Sequence, residues 1–425
     1  MSNSQNAIIK KLSIEGFGEE ESLMELGGNI TTLLGLDYFE GIFEPITEIK
    51  CVFSTIEGAL SNAQLRGTEL VSLLVEHPTG ELEIDGWVLT SFRQLETEST
   101  VNTFMITCNP PDVIANEKER VTKRYDPKGK SNSHVENILK NNIKTELDLD
   151  IEETANPDGF FGNYWRPYRA IYWLARRALS KSMSSEGGGT DRAGFLFWMT
   201  RSGYKFKSID TIMSEAKAAE DDIPTFTQNE VVDSEIDEEF NLYNVLFEHE
   251  SNVITNMQQS VYGENTKYIN IFSLFPDTEV VVKSKVDVKQ ESLGDVSGDE
   301  LEHGFEINEK PTVHNRILYV PGTMQMEGKM DNFDDYNPLK VRTQAKMRYE
   351  SLLSQSLRCT VPYNLVLEAG DVIEADLIQT AEGTDSWLSG YYIIKDLRHS
   401  IQITNQGVKC YTHLRLVRDA PGKKD

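Results

Sequence analysis

The strongest signal in the chain is a hydrophobic period of two. Val71, Leu73 and Val75 alternate with Ser72, Leu74 and Glu76, and a Pro-Thr-Gly turn follows at 78–80. Leu82 and Ile84 then alternate with Glu81, Glu83 and Asp85. The run NTFMITC (102–108) sets Phe104, Ile106 and Cys108 on one face. Alternation punctuated by Gly and Pro marks half-buried antiparallel strands, so residues 1–112 predict an all-β unit. The C-terminal stretch behaves alike. Leu365 and Leu367 lead to a turn at Ala369-Gly370-Asp371, and Ile373, Ala375 and Leu377 alternate with Glu374 and Asp376. SGYYIIKDLRHSI (389–401) and VKCYTHLRLV (408–417) complete the block as strands.

Landmarks in the two blocks keep similar spacing. Gly67, Gly86-Trp87, Arg93 and Phe104 are 19, 7 and 11 residues apart, and Gly370, Gly390-Tyr391, Arg398 and Tyr411 are 20, 8 and 13 apart. Two copies of one module give such agreement; chance alignment of short β patterns gives it too. In the duplicated reading the second copy opens with the strands of 241–282, is interrupted, and closes from about residue 357.

Between the blocks the period changes. Val135, Ile138, Leu139, Ile143 and Leu147 predict a helix over 131–147, and Ile171, Leu174, Ala175, Ala178 and Leu179 predict another over 166–180, with Pro167 at its start. GFLFWMT (194–200) reads as a strand, RSGYKFKSIDTIMSEA as a hairpin turn running into a short helix, and 342–356 as a third helix candidate. An α+β insertion between two β units is the organisation.

A length of 425 residues predicts about three domains. With 39% hydrophobic residues the chain has material for folded cores. The charge is uneven. Residues 1–112 carry 18 acidic and 5 basic residues (net −13), 113–202 are net +3, 203–239 net −8, 240–341 net −9 and 342–425 net +1. A total of −26 argues against sequence-independent binding of duplex DNA by a cationic surface. No apolar run is long enough to span a membrane, and MSNSQNAIIKK lacks the pattern of a secretory signal. The stretches 215–240 and 291–310 are acidic and weakly periodic and read as linkers or surface loops. Gly187–Gly189 read as a loop tip.

Candidate chemistry is sparse. Cys51, Cys108, Cys359 and Cys410 lie far apart, which suits buried thiols in strands and a reducing compartment rather than zinc or disulfides. HESNV (249–253) lacks the second histidine of a zinc helix. DNFDD (331–335) has no Gly at the sixth loop position, and Arg342 stands where a calcium loop places Glu. No nucleophile elbow, P-loop or dinucleotide fingerprint occurs. With 68 acidic residues some carboxylate pair is inevitable, so a pair alone does not indicate glycoside hydrolysis. The expectation is no catalytic, cofactor-binding or metal-ligating residue, no cofactor, and no enzyme activity. In NYWRPYRAIYWLARR (163–177), Trp165, Tyr168, Ile171, Trp173 and Leu174 suit a local core with the arginines outside; exposed remnants suit a protein partner better than nucleic acid.

Five blocks in order carry a resemblance. CNPPDVIANEKERVTKRYDPKGKSNSHVENIL (108–139), NYWRPYRAIYWLARRALS (163–180), AGFLFWMTRSGYKFKSIDTI (193–212), VPYNLVLEAGDVIEADL (361–377), and the closing SGYYIIKDLRHSI with CYTHLRLVRD resemble the baseplate central hub proteins of contractile-tailed bacteriophages. The similarity spans residues 5–418 and is weakest at 215–240 and 285–340. The resemblance implies an α+β, mainly β fold with two tail-tube-like antiparallel β-barrel domains and an inserted mixed α/β domain. The implied division is 1–112 (first barrel), 113–240 (mixed domain with acidic linker), 241–285 plus 342–420 (second barrel), 286–341 (acidic insertion packed on the mixed domain) and 421–425 (tail). It further implies a homotrimer whose six barrels form a pseudo-sixfold ring joining the sixfold tail tube to the threefold spike around the DNA passage. The implied partners are the spike, the tube or its initiator, baseplate wedge proteins and DNA in transit, without membrane insertion. The implied location is the virion tail baseplate, assembled in the host cytoplasm. The alternative is the hub of a related contractile injection machine; a cell-wall hydrolase carried on the baseplate is a third reading.

Overall fold

In the computed structural model Val71, Leu73 and Val75 are buried and Ser72, Leu74 and Glu76 half-buried, as period-two alternation requires. The structure describes residues 7–15, 23–26, 29–56, 67–97, 101–181, 193–219, 222–228, 240–249, 253–259, 263–270, 276–283, 293, 314–320, 338–380, 383–384, 388–404 and 407–419. The Gly187–Gly189 tip, the DNFDD cluster, the 421–425 tail and most of the 286–341 insertion lie outside them.

The first block contains β1 (Ile8–Ile14), β2 (Leu23–Leu26), β3 (Asn29–Gly41), β4 (Glu48–Ile56), β5 (Leu70–His77), β6 (Gly80–Thr97) and β7 (Val101–Asn109). The middle segment follows with α1 (Pro111–Lys118), α2 (Ser131–Ile138), β8 (Leu149–Ile151), α3 (Pro167–Ala175), β9 (Phe195–Thr200), β10 (Gly203–Ser208), α4 (Ile209–Ala218) and β11 (Thr225–Thr227). Then come β12 (Tyr243–His249), α5 (Val253–Gln258), β13 (Gly263–Asn270), β14 (Pro276–Lys283), β15 (His314–Val320) and α6 (Pro338–Leu352). The chain closes with β16 (Gln355–Pro362), β17 (Val372–Asp376), β18 (Ile378–Thr380), β19 (Gly383–Thr384), β20 (Gly390–Thr404) and β21 (Gly407–Arg418).

The expected pair of antiparallel barrels is not what these strands form. Thirteen of them make one extended sheet with the path β1-β5-β6-β7-β4-β3-β20-β21-β16-β12, which does not return on itself. The sheet is mixed, because β11 joins β17 in parallel. The reason lies at β3. Its edge, which closure of the first block would need, is paired with β20 of the other block, with Gly35–Gly41 running antiparallel to Asp396–Gln402. Alternation in sequence states which face is buried, not which strand completes the edge.

Within that sheet one strand order occurs twice. The first block runs β5-β6-β7-β4-β3 and the second β17-β20-β21-β16-β12. The registers agree residue by residue. Cys51 faces Ile106 and Cys359 faces Leu414. One step along, Met105 faces Arg93 and His413 faces Arg398. Arg93 and Arg398 are therefore equivalent, and β-bulges in β6 and β20 account for one-residue drifts elsewhere. The first unit buries Leu36, Phe53, Leu73, Phe104 and Ile106 in one core, and the second buries Leu357, Val361, Ile373, Ile394 and Leu414 in another.

The middle segment packs a third core. Val135, Ile138 and Leu139 of the α2 region, Tyr168, Ile171 and Leu174 of α3, and Phe195, Phe197 and Phe206 of β9 and β10 are all buried together. The expected helix over 131–147 stops at Ile143 through a π turn, ended by Lys144 in the left-handed region at φ 61°. The helix expected over 166–180 stops at Ala175; Ala178 and Leu179 stay buried, but Leu179 and Ser180 bridge to Ala193 and Thr154 instead. The third helix begins four residues early and yields at Gln355 to β16. β13 and β14 join β15 in a separate three-stranded sheet.

Candidate interaction site

The aromatic-basic run forms one wall of a cleft rather than a helix surface free in solvent. Pro167 starts α3, where its missing N–H costs nothing, and the apolar face of α3 is buried against β9. That orientation leaves Arg166, Arg169 and Arg176 along a cleft of about 940 Å3, whose opposite walls come from Phe43 after β3 and Tyr349 of α6. Tyr172 crosses it and donates its hydroxyl to the Phe43 carbonyl at 2.9 Å. Burial, with Glu44 nearby, pushes the Tyr172 phenol above its ordinary range, so it acts as a neutral donor. Arg169 lies over the Trp165 ring at 5.5 Å and Arg166 pairs with Glu117 at 2.9 Å. Arg177 departs from the expectation of outward arginines: it is buried, 4.3 Å over Trp173, and bonded to Asp158 at 3.3 Å. This wall suits a carboxylate- or aromatic-bearing protein segment.

Two buried polar clusters fix the cleft relative to both sheet units. In the first, the β9–β10 turn reaches across the seam between them. Glu40 of β3 accepts from the Tyr38 hydroxyl at 2.7 Å, the Arg201 N–H at 2.6 Å and the Ala369 N–H at 2.9 Å. Thr200 and Ser202 donate to Glu368 at 3.0 and 2.7 Å. Burial, reinforced by the charge of Glu368, pushes the Glu40 carboxyl up to about 7. Gly203 makes the turn possible: φ is 133°, and a Cβ there would lie 2.2 Å from the Asp148 carbonyl oxygen.

The second cluster centres on Arg348 of α6, which is fully buried. It donates to Asp210 at the start of α4 at 2.8 Å and to Asp419 just after β21 at 3.2 Å. Burial alone would weaken its charge, but the two carboxylates more than offset this and raise its pKa. Asp419 also accepts from the Leu293 N–H at 3.1 Å. One guanidinium thus ties the inserted segment to α6 and the end of the second unit.

Among the described residues no group of three or more His, Cys, Asp or Glu could hold a metal ion, and no helix is long and apolar enough to cross a membrane. Cys51, Cys108 and Cys359 are buried in strands and Cys410 is half-buried, all four as free thiols; burial raises Cys108 to about 12, which makes it inert. Of HESNV only His249 and Val253 lie within the described residues. Sequence reasoning did not single out Glu40, Arg348, Asp210 or Asp419. The contacts that tie these groups across the chain are long-range: Glu40 to Ala369 spans 329 residues, Arg348 to Asp210 spans 138 and Arg348 to Asp419 spans 71.

The fold as a whole is shared with solved tail proteins. The chain is similar in structure to a tail protein from Neisseria meningitidis, with a TM-score of 0.55 and 11% identity, covering 98% of this chain and 97% of that one. It is also similar to the 43 kDa tail protein of prophage MuSo2 from Shewanella oneidensis, with a TM-score of 0.54 and 8% identity, covering 97% and 100%. No family model matches the sequence, and the search of curated proteins gives no match.

Proposed function

We propose that the chain is a non-catalytic structural protein of a phage-tail baseplate, acting as its central hub. The observation that carries this reading is the likeness over nearly the whole of both chains to two tail proteins. The repeated strand order supports the oligomer. Each chain brings two copies of one sheet unit, so a homotrimer brings six, and such a ring matches a sixfold tube on one side and a threefold spike on the other. In this reading residues 113–240, with 286–341, form the spike-facing side, and the arginine-lined cleft receives a segment of a neighbouring baseplate protein. DNA passes through the ring without binding, and the net −13 of residues 1–112 discourages phosphate contact.

Native mass spectrometry tests the oligomer: the expected species is a trimer at about 144 kDa, three times 48.1 kDa, and electron micrographs should show a ring with a central opening. A chain that remains monomeric at every concentration would remove the hub reading. Clearing of peptidoglycan in a zymogram would replace it with a hydrolase.

A further inference from the structure

Two arginines of the cleft have no ion-pair partner among the described residues. Arg166 pairs with Glu117 and Arg177 with Asp158, but Arg169 and Arg176, both exposed, pair with no carboxylate there. They stand seven residues apart, on α3 and at its C-terminal end, about 10.5 Å along the axis at ~1.5 Å per residue. Arg166 and Trp173 repeat that interval on the same wall, and Arg342 and Tyr349 of α6 repeat it on the opposite one. Phe43, Trp165, Tyr172, Trp173 and Tyr349 line the space between and are only half-buried, so the apolar surface of the cleft is incompletely covered.

The backbone around the cleft selects the shape of what can enter. β9 lines it as the edge of a three-stranded sheet, but that edge is not open to an added strand. Phe195, Leu196 and Phe197 are at most 3% exposed, and the Phe195 carbonyl already accepts from the Tyr349 hydroxyl at 2.5 Å. The Phe43 carbonyl is likewise taken by Tyr172. An extended segment laid here would leave its own N–H and C=O groups without strand partners. A helix satisfies its backbone within itself and needs from a groove only apolar contact and matching charge.

Building on the reading of the cleft as the seat of a neighbouring baseplate protein, we infer that its occupant is an acidic amphipathic helix of that partner. Carboxylates seven residues apart meet Arg169 and Arg176, and an apolar stripe between them meets the half-buried rings. Seven residues turn a helix by about 700°, within ~20° of two full turns, so such carboxylates share one face. A spacing of five carries the second carboxylate about 140° away from the first. Arg169 lies over the Trp165 ring at 5.5 Å, which positions its guanidinium before a partner arrives. The charge of the seat agrees, since residues 113–202 are net +3 between stretches of net −13 and net −8.

Fluorescein-labelled helical peptides of about 20 residues test this against the full-length protein by fluorescence anisotropy. Each carries a leucine stripe and two Glu on an Ala-Gln host, with the two Glu separated by three to ten residues across the set. The seven-residue spacing should bind at least tenfold tighter than the five-residue spacing. Arg169→Gln/Arg176→Gln should remove that preference and weaken the seven-spaced peptide at least tenfold, while the urea midpoint and the trimer seen by native mass spectrometry stay unchanged. Binding of no peptide, equal binding at every spacing, or binding unmoved by the double variant overturns the helix seat, and a wild-type trimer in the same samples leaves the hub reading standing. Loss of the trimer in the double variant would make a second copy the occupant, and equal competition by a duplex oligonucleotide would make the cleft an unselective anion groove; either result overturns the proposal. A wild type that is monomeric at every concentration overturns the hub reading instead.

Discussion

Removing the Arg348 guanidinium isolates what holds the three packed regions together. Arg348→Met keeps the apolar stem and deletes the charge, leaving Asp210 and Asp419 buried around it without their common cation. At an effective dielectric of ~20, each charge pair at this range attracts by about 4 kcal/mol, a gross figure that desolvation of all three groups offsets in large part. Deleting one partner of a buried ion pair costs about 3–5 kcal/mol, because the remaining charges stay desolvated. The folding equilibrium should therefore fall by two to four orders of magnitude. Urea unfolding followed by tryptophan fluorescence reads this directly, since Trp198 is buried in the same apolar cluster as Ile209, Met213 and Leu352.

A second variant and a pH series make the reasoning refutable. Adding Asp210→Asn and Asp419→Asn to Arg348→Met removes the stranded charges and should recover at least half of the loss. In the single variant burial without the cation disfavours the charged form of both carboxyls. A carboxyl held protonated in the folded chain costs stability once the unfolded chain ionises, so the deficit should grow as pH rises above the ordinary carboxylate range. A loss under ~1 kcal/mol for Arg348→Met, or a triple variant as unstable as the single one, would refute the assignment of the cluster as an electrostatic pin.

Other expectations are simpler. The Glu40 carboxyl, raised to about 7 from 4.5, holds its proton in the folded chain between those values. Wild-type stability should thus fall by ~3 kcal/mol as pH rises through that window, while Glu40→Gln, measured by urea midpoints at pH 5 and 8, should show a much flatter profile. His399 is buried neutral at the internal junction, its pKa lowered to about 3 by burial and then by Arg201. Its contribution is complete above pH 6.5 and is lost as pH falls toward 3; His399→Phe should abolish that part of the acid loss in the same titration. Gly370→Ala should lower the urea-derived stability by ~2 kcal/mol or more, since φ is 99° and the new Cβ would lie 2.7 Å from the Trp198 ring.

What the sequence made legible follows from range. Alternation at 71–76 and 102–108 and the stripe of Tyr168, Ile171 and Leu174 are local signals, and all mark buried faces in the structure. The repeat was visible in landmarks such as Arg93 and Arg398, whose equivalence the strand registers carry. The edge partners were not legible. Arg398 meets Asp37 across 361 residues, and no local pattern distinguishes a strand that closes its own sheet from one that joins another. That gap is why two closed barrels were expected where one open sheet exists. Arg348 was hidden differently: α6 carries Arg342, Lys346 and Arg348 in close succession, and nothing local marks Arg348 as the one to which Asp210 and Asp419 are brought by distant segments.

The repeat shows how the chain covers its sheet edges. An unprotected edge invites pairing, and proteins cover the ones they do not use. The outer edge of β5 is covered by β1, antiparallel over Ile8–Ile14. The equivalent edge of β17 is covered by β11, which comes from the inserted segment and runs parallel over Thr225–Thr227. Two unrelated pieces of chain in opposite orientations thus protect the same position of the repeat, so that edge is covered by need rather than by inheritance. The β3–β20 junction covers the second pair of edges inside the chain. The counterparts of that junction, β6 and β12, carry exposed apolar side chains such as Phe92 and Leu246. The chain thus covers one edge of the repeat twice by different means, whereas β6 beyond Val88 pairs on that side with no further strand among the described residues.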